Sequence, residues 1–188
     1  MNVSAIIVTR GDVDLQPILT SLPEEWEKVV WDNSMEEQDL GPYGKYAAIE
    51  HATHDTIYVQ DDDVIVSDPE AIVWESDSGG SEYGRLVCNV PSEFRQFYPD
   101  SAMVGFGACF HRDLPEKAFQ RFFSYHATMT RDDPLFLRES CRVFTTLTPY
   151  VLVDVPKTDL PYANDPNRLW KQPDHVASRD RMLALARE

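Results

Sequence analysis

The chain has 188 residues, 43% hydrophobic and 26% charged, the balance of one globular domain that buries its core without disulfides. A formal net charge of −15 repels nucleic acid and anionic membrane at long range, so the electrostatic footprint of a nucleic-acid-binding protein is missing. The three cysteines, Cys88, Cys109 and Cys141, form no CxxC pair and cannot complete a disulfide set, which favours a reducing compartment. The opening apolar run Ala5–Val8 is too short for a signal peptide or a membrane span. The expectation is a single domain over 1–188 in the cytoplasm (the host's, if the chain is viral).

In chain order, "VSAIIVTRG" (Val3–Gly11) is a β-branched run broken by Gly, a strand buried on both faces. "DVDLQPILTSLP" reads as a short helix capped by Asp12 or Asp14 and stopped near Pro23. "EKVVWDNS" predicts a second buried strand, "GPYGKYAAIEHA" a Gly-rich loop opening a helix over Tyr46–Ala52, and "DTIYVQ" a third strand. Further on, "GRLVCNV" and "AMVGFGACFHR" read as strands, "PEKAFQRFFSYH" and "DDPLFLRESCR" as helices, and "VFTTLTPYVLVDV" as strand. From Pro156 onward Pro, Asp and Asn accumulate, predicting a long loop or lid before a C-terminal helix, "DHVASRDRMLALARE". The β-α-β-α-β alternation implies an α/β, doubly wound, mostly parallel sheet with a mixed C-terminal half. Ligands of such sheets sit outside the carboxyl ends of the strands. Thr9-Arg10, Asp32-Asn33 and Asp61–Asp63 all fall at such ends.

The segment "IYVQDDDVIV" (Ile57–Val66) raises a physical question, because three adjacent carboxylates stand between two apolar runs. A desolvated carboxylate is costly unless paired or bound to a cation. Alone, the triplet reads as a solvated acidic turn, but the apolar flanks on both sides argue for burial. If the segment is extended, Asp61 and Asp63 point one way and Asp62 the other. Two carboxylates on one side suit Mg²⁺ or Mn²⁺, which complete their shells with water and phosphate oxygens.

"VSAIIVTRG", a strand ending in "WDNS", the "GKYAAIEHA" helix and the DxD-type "YVQDDDV" together resemble the nucleotide-sugar glycosyltransferases of the GT-A fold. The likeness is to small single-domain, family-2-like or exostosin-like members, and it covers about the first 70 residues. It implies a nucleotide-binding half over 1–70, a donor-sugar and acceptor half over 84–155, and a lid with helix over 156–188. It also implies a nucleoside-diphosphate sugar donor, usually of UDP, with Mn²⁺ or Mg²⁺ bridging the diphosphate to the protein. Carried onto this chain, Thr9 and Arg10 lie against the nucleotide, Asp32 contacts base or ribose, and Lys45 sits near base or phosphates. Asp61 binds ribose or sugar, Asp62 contacts the sugar, and Asp63 is the direct metal ligand, with Asp61 beside it. Gly105 and Gly107 match a stretch that lies beneath the donor sugar in such enzymes, where glycine permits close approach; a bulge or tight packing explains the two glycines equally well.

In "TRDDPLF" the resemblance points to Asp133, with Asp132 beside it, as general base on the acceptor hydroxyl; the plainer reading is a helix N-cap by Asp132 or Asp133 before Pro134, and the two are compatible, since Asp132 can cap while Asp133 faces the cleft. A base there implies inversion, although the exostosin-like relatives retain. His175 and Arg179, with Lys171, are candidates to reach back to metal and diphosphate, and Trp170 to close over the donor. An exposed histidine is more often a plain surface residue. His51, His54, His111 and His126 show no zinc spacing. The acceptor hydroxyl is open among a glycan, a protein, a small molecule and a hydroxylated nucleic-acid base. Two other readings compete: a nucleotidyltransferase, which "TRGDVDLQP" disfavours by lacking a glycine-rich phosphate loop, and a non-catalytic nucleotide- or cation-binding module.

Overall fold

The computed structural model describes residues 1–77, 85–96 and 102–188. Its centre is a six-stranded sheet: β1 (Val3–Thr9), β2 (Glu27–Asp32), β3 (Thr56–Asp61), β5 (Leu86–Asn89), β6 (Ala108–His111) and β7 (Tyr150–Val153). The strand order is β2-β1-β3-β6-β5-β7. Only β6 runs against its neighbours; the other five share one direction. A doubly wound, mostly parallel sheet is what the strand-helix alternation implied.

Every residue of β1 is buried, as a central strand covered on both faces should be. Val3, Ala5 and Ile7 pack with Tyr58 and Val87 under α1 (Gln16–Ser21) and α3 (Pro69–Asp77), through Ile18, Ile72 and Val73. Ile6 and Val8 face the opposite side, beneath α2 (Gly44–Ala47), α5 (Leu114–Tyr125), α6 (Pro134–Leu147) and α7 (His175–Arg187). That side is aromatic: Tyr46 meets Phe119 edge-on at 5.0 Å, and Phe110 meets Phe144 likewise.

Five expectations are corrected. First, β2 forms the sheet edge rather than a buried strand, and Val30 is 43% exposed. Second, the helix expected over Tyr46–Ala52 starts earlier and is irregular: 3₁₀ turns at Gly41–Tyr43 and Ala48–His51 flank α2. Third, Val143–Leu147 belongs to α6 rather than to a strand. Its β-branched residues suggest strand, but Phe136, Val143 and Phe144 recur at helical spacing into the core, and Thr145 Oγ1 donates to the Cys141 carbonyl at 2.9 Å. Fourth, the Gly105-Phe106-Gly107 stretch is a turn before β6, with Gly107 at φ 100°. Fifth, the 156–174 segment is stitched down. Its β8 (Lys157–Asp159) pairs antiparallel with β4 (Val64–Val66), and short turns follow at Pro161–Asn164 and Leu169–Lys171.

The α3 helix and the short α4 (Ser92–Arg95) have no counterpart in the sequence reading, although the Asp68-Pro69 start signal was available: Asp68 Oδ1 accepts the Ala71 amide. Gly84, which opens the "GRLVCNV" run, lies outside the described residues. Among those described, no helix is long and apolar enough to cross a membrane.

Candidate functional site

Where β1 and β3 end, a cleft of about 400 Å³ opens at the carboxyl edge of the sheet. Thr9 and Arg10 line it at and just past the end of β1, Asp61, Asp62 and Asp63 at and just past the end of β3, and Lys45 from α2. Gly105 and Cys141 complete the inner wall; Asn167, Arg168, Leu169, Trp170 and Gln172 form an outer wall. That outer strap is tied to the acidic loop by backbone, since the Leu160 amide donates to the Asp63 carbonyl and the Ser67 amide to the Pro156 carbonyl.

The acidic trio is already partly neutralised. Lys45 Nζ lies 2.6 Å from Asp61 Oδ1, with its side chain almost wholly buried. Burial opposes the ammonium charge, but the Asp61 carboxylate outweighs it and holds the Lys45 pKa above its ordinary value. Arg168 Nη1 donates to Asp62 Oδ1 at 2.6 Å, and both residues are buried. Desolvation still raises the Asp62 pKa, with Arg168 pulling it down. Asp63 is the least compensated: the Arg168 Nε contact is 3.8 Å. Desolvation first, and the Asp61 charge second, push its carboxyl up to about 6. Among the described residues, three buried side-chain atoms of the lining have no hydrogen-bond partner: Arg10 Nε, Asp62 Oδ2 and Arg168 Nη2.

The strict alternation expected of Asp61, Asp62 and Asp63 does not hold. The strand ends at Asp61 and a turn begins at Asp62, so Asp62 and Asp63 both face Arg168 while Asp61 faces Lys45. Gly105 is needed for close approach, but by Asp61: a Cβ there would overlap Asp61 Oδ2 and stand 2.8 Å from Cγ. The Asp61 amide also donates to the Gly105 carbonyl at 2.9 Å.

Other expected site residues lie elsewhere. Asp32 caps the turn after β2, its Oδ1 accepting from the Ser34 amide and hydroxyl, and does not line the cleft. Gly107 packs toward Ile72, Tyr58 and Val66, away from the lining. Asp133 is the N-cap of α6, its Oδ1 accepting the Leu135 amide at 2.8 Å, and neither it nor Asp132 lines the cleft. His175 and Arg179 also fall outside the lining. His175 sits half-buried at the start of α7; burial first, and the charges of Arg138, Arg179 and Arg142 after it, lower its pKa. Arg179 pairs with its neighbour Asp180. Lys171 Nζ sits over the Trp170 ring at 4.8 Å and bonds the Asn164 carbonyl.

Arg168 is the site residue that sequence reasoning passed over. The signal was indirect: three buried carboxylates demand cations, and the Pro- and Asn-rich loop carries few. Cys141 packs against the core and also lines the cleft, whereas Cys88 and Cys109 are buried.

Among the described residues, no three His, Cys, Asp or Glu side chains converge as a protein-made metal cage. Asp61 and Asp62 each hold a side-chain cation, which leaves Asp63 as the undercompensated carboxylate. A single hard oxygen ligand fits Mg²⁺ or Mn²⁺ where phosphate and water fill the remaining positions. Of the two residues expected beside Asp63, Asp61 lines the cleft with Oδ1 on Lys45, and His175 lies off the lining.

The fold has known counterparts. A crystal structure of S. aureus TarS residues 1–349, a GT-A glycosyltransferase, superposes with a TM-score of 0.56 at 12% identity, covering 99% of this chain and 70% of that one. A longer S. aureus TarS structure gives 0.50 at 12% identity, covering 98% of this chain and 42% of that one. The 2-C-methyl-D-erythritol 4-phosphate cytidylyltransferase of Thermus thermophilus gives 0.40 at 15% identity, covering 97% and 81%. No protein-family model matches the sequence, and no curated protein sequence does. The chain has a GT-A-like fold.

Proposed function

We propose that the protein is a glycosyltransferase that takes a sugar from a nucleoside-diphosphate sugar, with UDP as the first nucleotide to test, and moves it to an acceptor hydroxyl. One observation carries this reading: buried Lys45 and Arg168 converge with Asp61, Asp62 and Asp63 in one cleft at the carboxyl ends of parallel strands. Such a mixed charge set suits a diphosphate better than a neutral metabolite, because the anion meets cations already oriented by carboxylates.

In this arrangement Thr9 and Arg10 border the nucleotide, and the unpartnered Arg168 Nη2 is a free donor for a phosphate oxygen. Asp62 Oδ2 is free to accept from a sugar hydroxyl. Lys45 keeps its charge in the dry wall of the cleft, where it acts on negative charge growing on the departing diphosphate. Asp63 would hold a divalent cation, which when bound supplies further neutralisation of that leaving group. Asp133, on which the expectation of inversion rests, caps α6 through Oδ1 and lies off the cleft lining. The carboxylate left on the lining outside the trio is Asp39.

Calorimetry with UDP and Mn²⁺, followed by UDP-sugar hydrolysis, tests the reading. The wild type is expected to bind UDP more tightly with Mn²⁺ than without and to hydrolyse a UDP-sugar slowly. Asp63→Asn is expected to abolish the Mn²⁺ enhancement while melting like the wild type. Binding without hydrolysis or transfer would favour a non-catalytic module, and an Mn²⁺ enhancement that survives in Asp63→Asn would remove the metal assignment.

A further inference from the structure

Trp170 lines the cleft and is 56% exposed. Its place is set by several contacts. The Lys171 amide donates to the Arg168 carbonyl at 3.0 Å and the Gln172 amide to the Leu169 carbonyl at 3.1 Å, closing the turn that carries the ring. Arg168, two residues earlier, is pinned to buried Asp62. Two residues of backbone span at most about 7 Å, so the backbone that carries the indole is held close to the backbone of the residue that touches the acidic loop. The Lys171 ammonium covers part of the ring at 4.8 Å.

The strap that carries this indole also brings uncharged polar groups to the cleft lining. Asn167 and Gln172 bring side-chain amides, each able to donate and accept, and Asp39 brings a carboxylate. Among the described residues, the Asn167 side chain makes no hydrogen bond, Gln172 makes only a long one through Nε2 to the Pro166 carbonyl at 3.4 Å, and Asp39 uses one oxygen on the Gly41 amide. Amides with a carboxylate beside an indole face match a pyranose: its hydroxyls both donate and accept, and its C–H face is the electropositive edge that the ring's π cloud attracts. A phosphodiester or acidic polymer meets a protein of net charge −15, which repels it at long range.

We infer that Trp170, with Asn167 and Gln172, is the acceptor platform of the cleft, and that the acceptor is a neutral carbohydrate. The inference deepens the donor reading above and rests on it for the chemistry, while the platform itself is a binding claim with its own readout. Uncharged saccharides, with maltotriose and chitotriose as the probes, are mixed with the full chain plus UDP and Mn²⁺ and followed by saturation-transfer NMR. Ring protons of at least one probe are expected to receive saturation in the wild type. The signal falls about five-fold or more in Trp170→Ala and is largely kept in Trp170→Phe, since stacking needs a π face rather than an indole. UDP affinity in the presence of Mn²⁺ stays within about two-fold in both variants, because the ring serves the acceptor side.

Three outcomes overturn the inference: no saccharide signal in the wild type, an undiminished signal in Trp170→Ala, or a UDP affinity about ten-fold weaker in that variant, which would assign the ring to the nucleotide. Sugar transfer onto a peptide or an oligonucleotide, with no saccharide contact, counts against it equally. If UDP fails to bind the wild type the donor reading falls, while the saccharide signal and its Trp170 dependence still decide the platform.

Discussion

Two parts of the molecule bury carboxylates, and the way each is partnered differs. At the cleft, Asp62 is 4% exposed and takes a hydrogen bond from Arg168 at 2.6 Å, and Asp61 has Lys45 at the same distance. In the seam between α6 and α7, Glu139 is also 4% exposed, but its ion-pair partner, Arg138 Nε, stands 3.6 Å away and Glu139 Oε1 has no hydrogen-bond partner. Burial pushes the Glu139 carboxyl up to about 7 despite the attraction of Arg138, Arg142 and Arg179. A charge paired at hydrogen-bond distance is both compensated and aimed. One surrounded by cations at longer range is neither, and it costs stability without organising a site.

The comparison can be broken first at Arg168. Arg168→Ala strands the buried Asp62 carboxylate, so a loss of about 3–5 kcal/mol is expected in denaturant unfolding. Combining it with Asp62→Asn should recover most of that loss, because the uncompensated charge goes with it. A single variant that unfolds like a surface substitution would show that the cleft pair is no better built than the seam.

Glu139→Gln sharpens the contrast from the other side and should stabilise. The folded pKa of about 7 lies above the ordinary 4.5, so the native state holds the proton more tightly than the unfolded chain. Wild-type stability relative to the variant is therefore fully present below about pH 4.5 and is lost as pH rises through about 7. Above that pH the variant should be more stable by something on the order of 2 kcal/mol, and the gap should close in acid. Unfolding curves at several pH values check this; a constant gap would mean that the seam does not raise the Glu139 pKa.

The smallest effect is expected at Asp133, which belongs to neither charged cluster. Asp133→Ala removes the α6 cap and should cost about 1 kcal/mol while leaving UDP binding near wild type. A collapse of sugar transfer with unchanged UDP binding and modest destabilisation would instead return Asp133 to the role of base.

Much of the scaffold was readable before any coordinates. Val3–Thr9 and Thr56–Asp61 are uninterrupted apolar runs whose polar residues fall at the strand ends, so both their type and their site-bearing end follow from pattern. Glu27–Asp32 misled because Val29, Val30 and Trp31 have strand propensity whether the strand is central or at an edge, and sheet order is not a local property. Val143–Leu147 misled because β-branched propensity is weak beside the burial of Phe136, Val143 and Phe144 on one helical face.

The amino-acid order alone determined that three carboxylates would end an apolar strand and that they would need positive charge, since desolvation is a property of the residues and their neighbours in sequence. Which cations supply it was decided by the folded chain. Arg168 lies 106 positions from Asp62 along the chain, and Lys45 reaches Asp61 from a separate turn. Contacts of that separation depend on how the sheet, helices and strap are assembled, and no short window of residues encodes them.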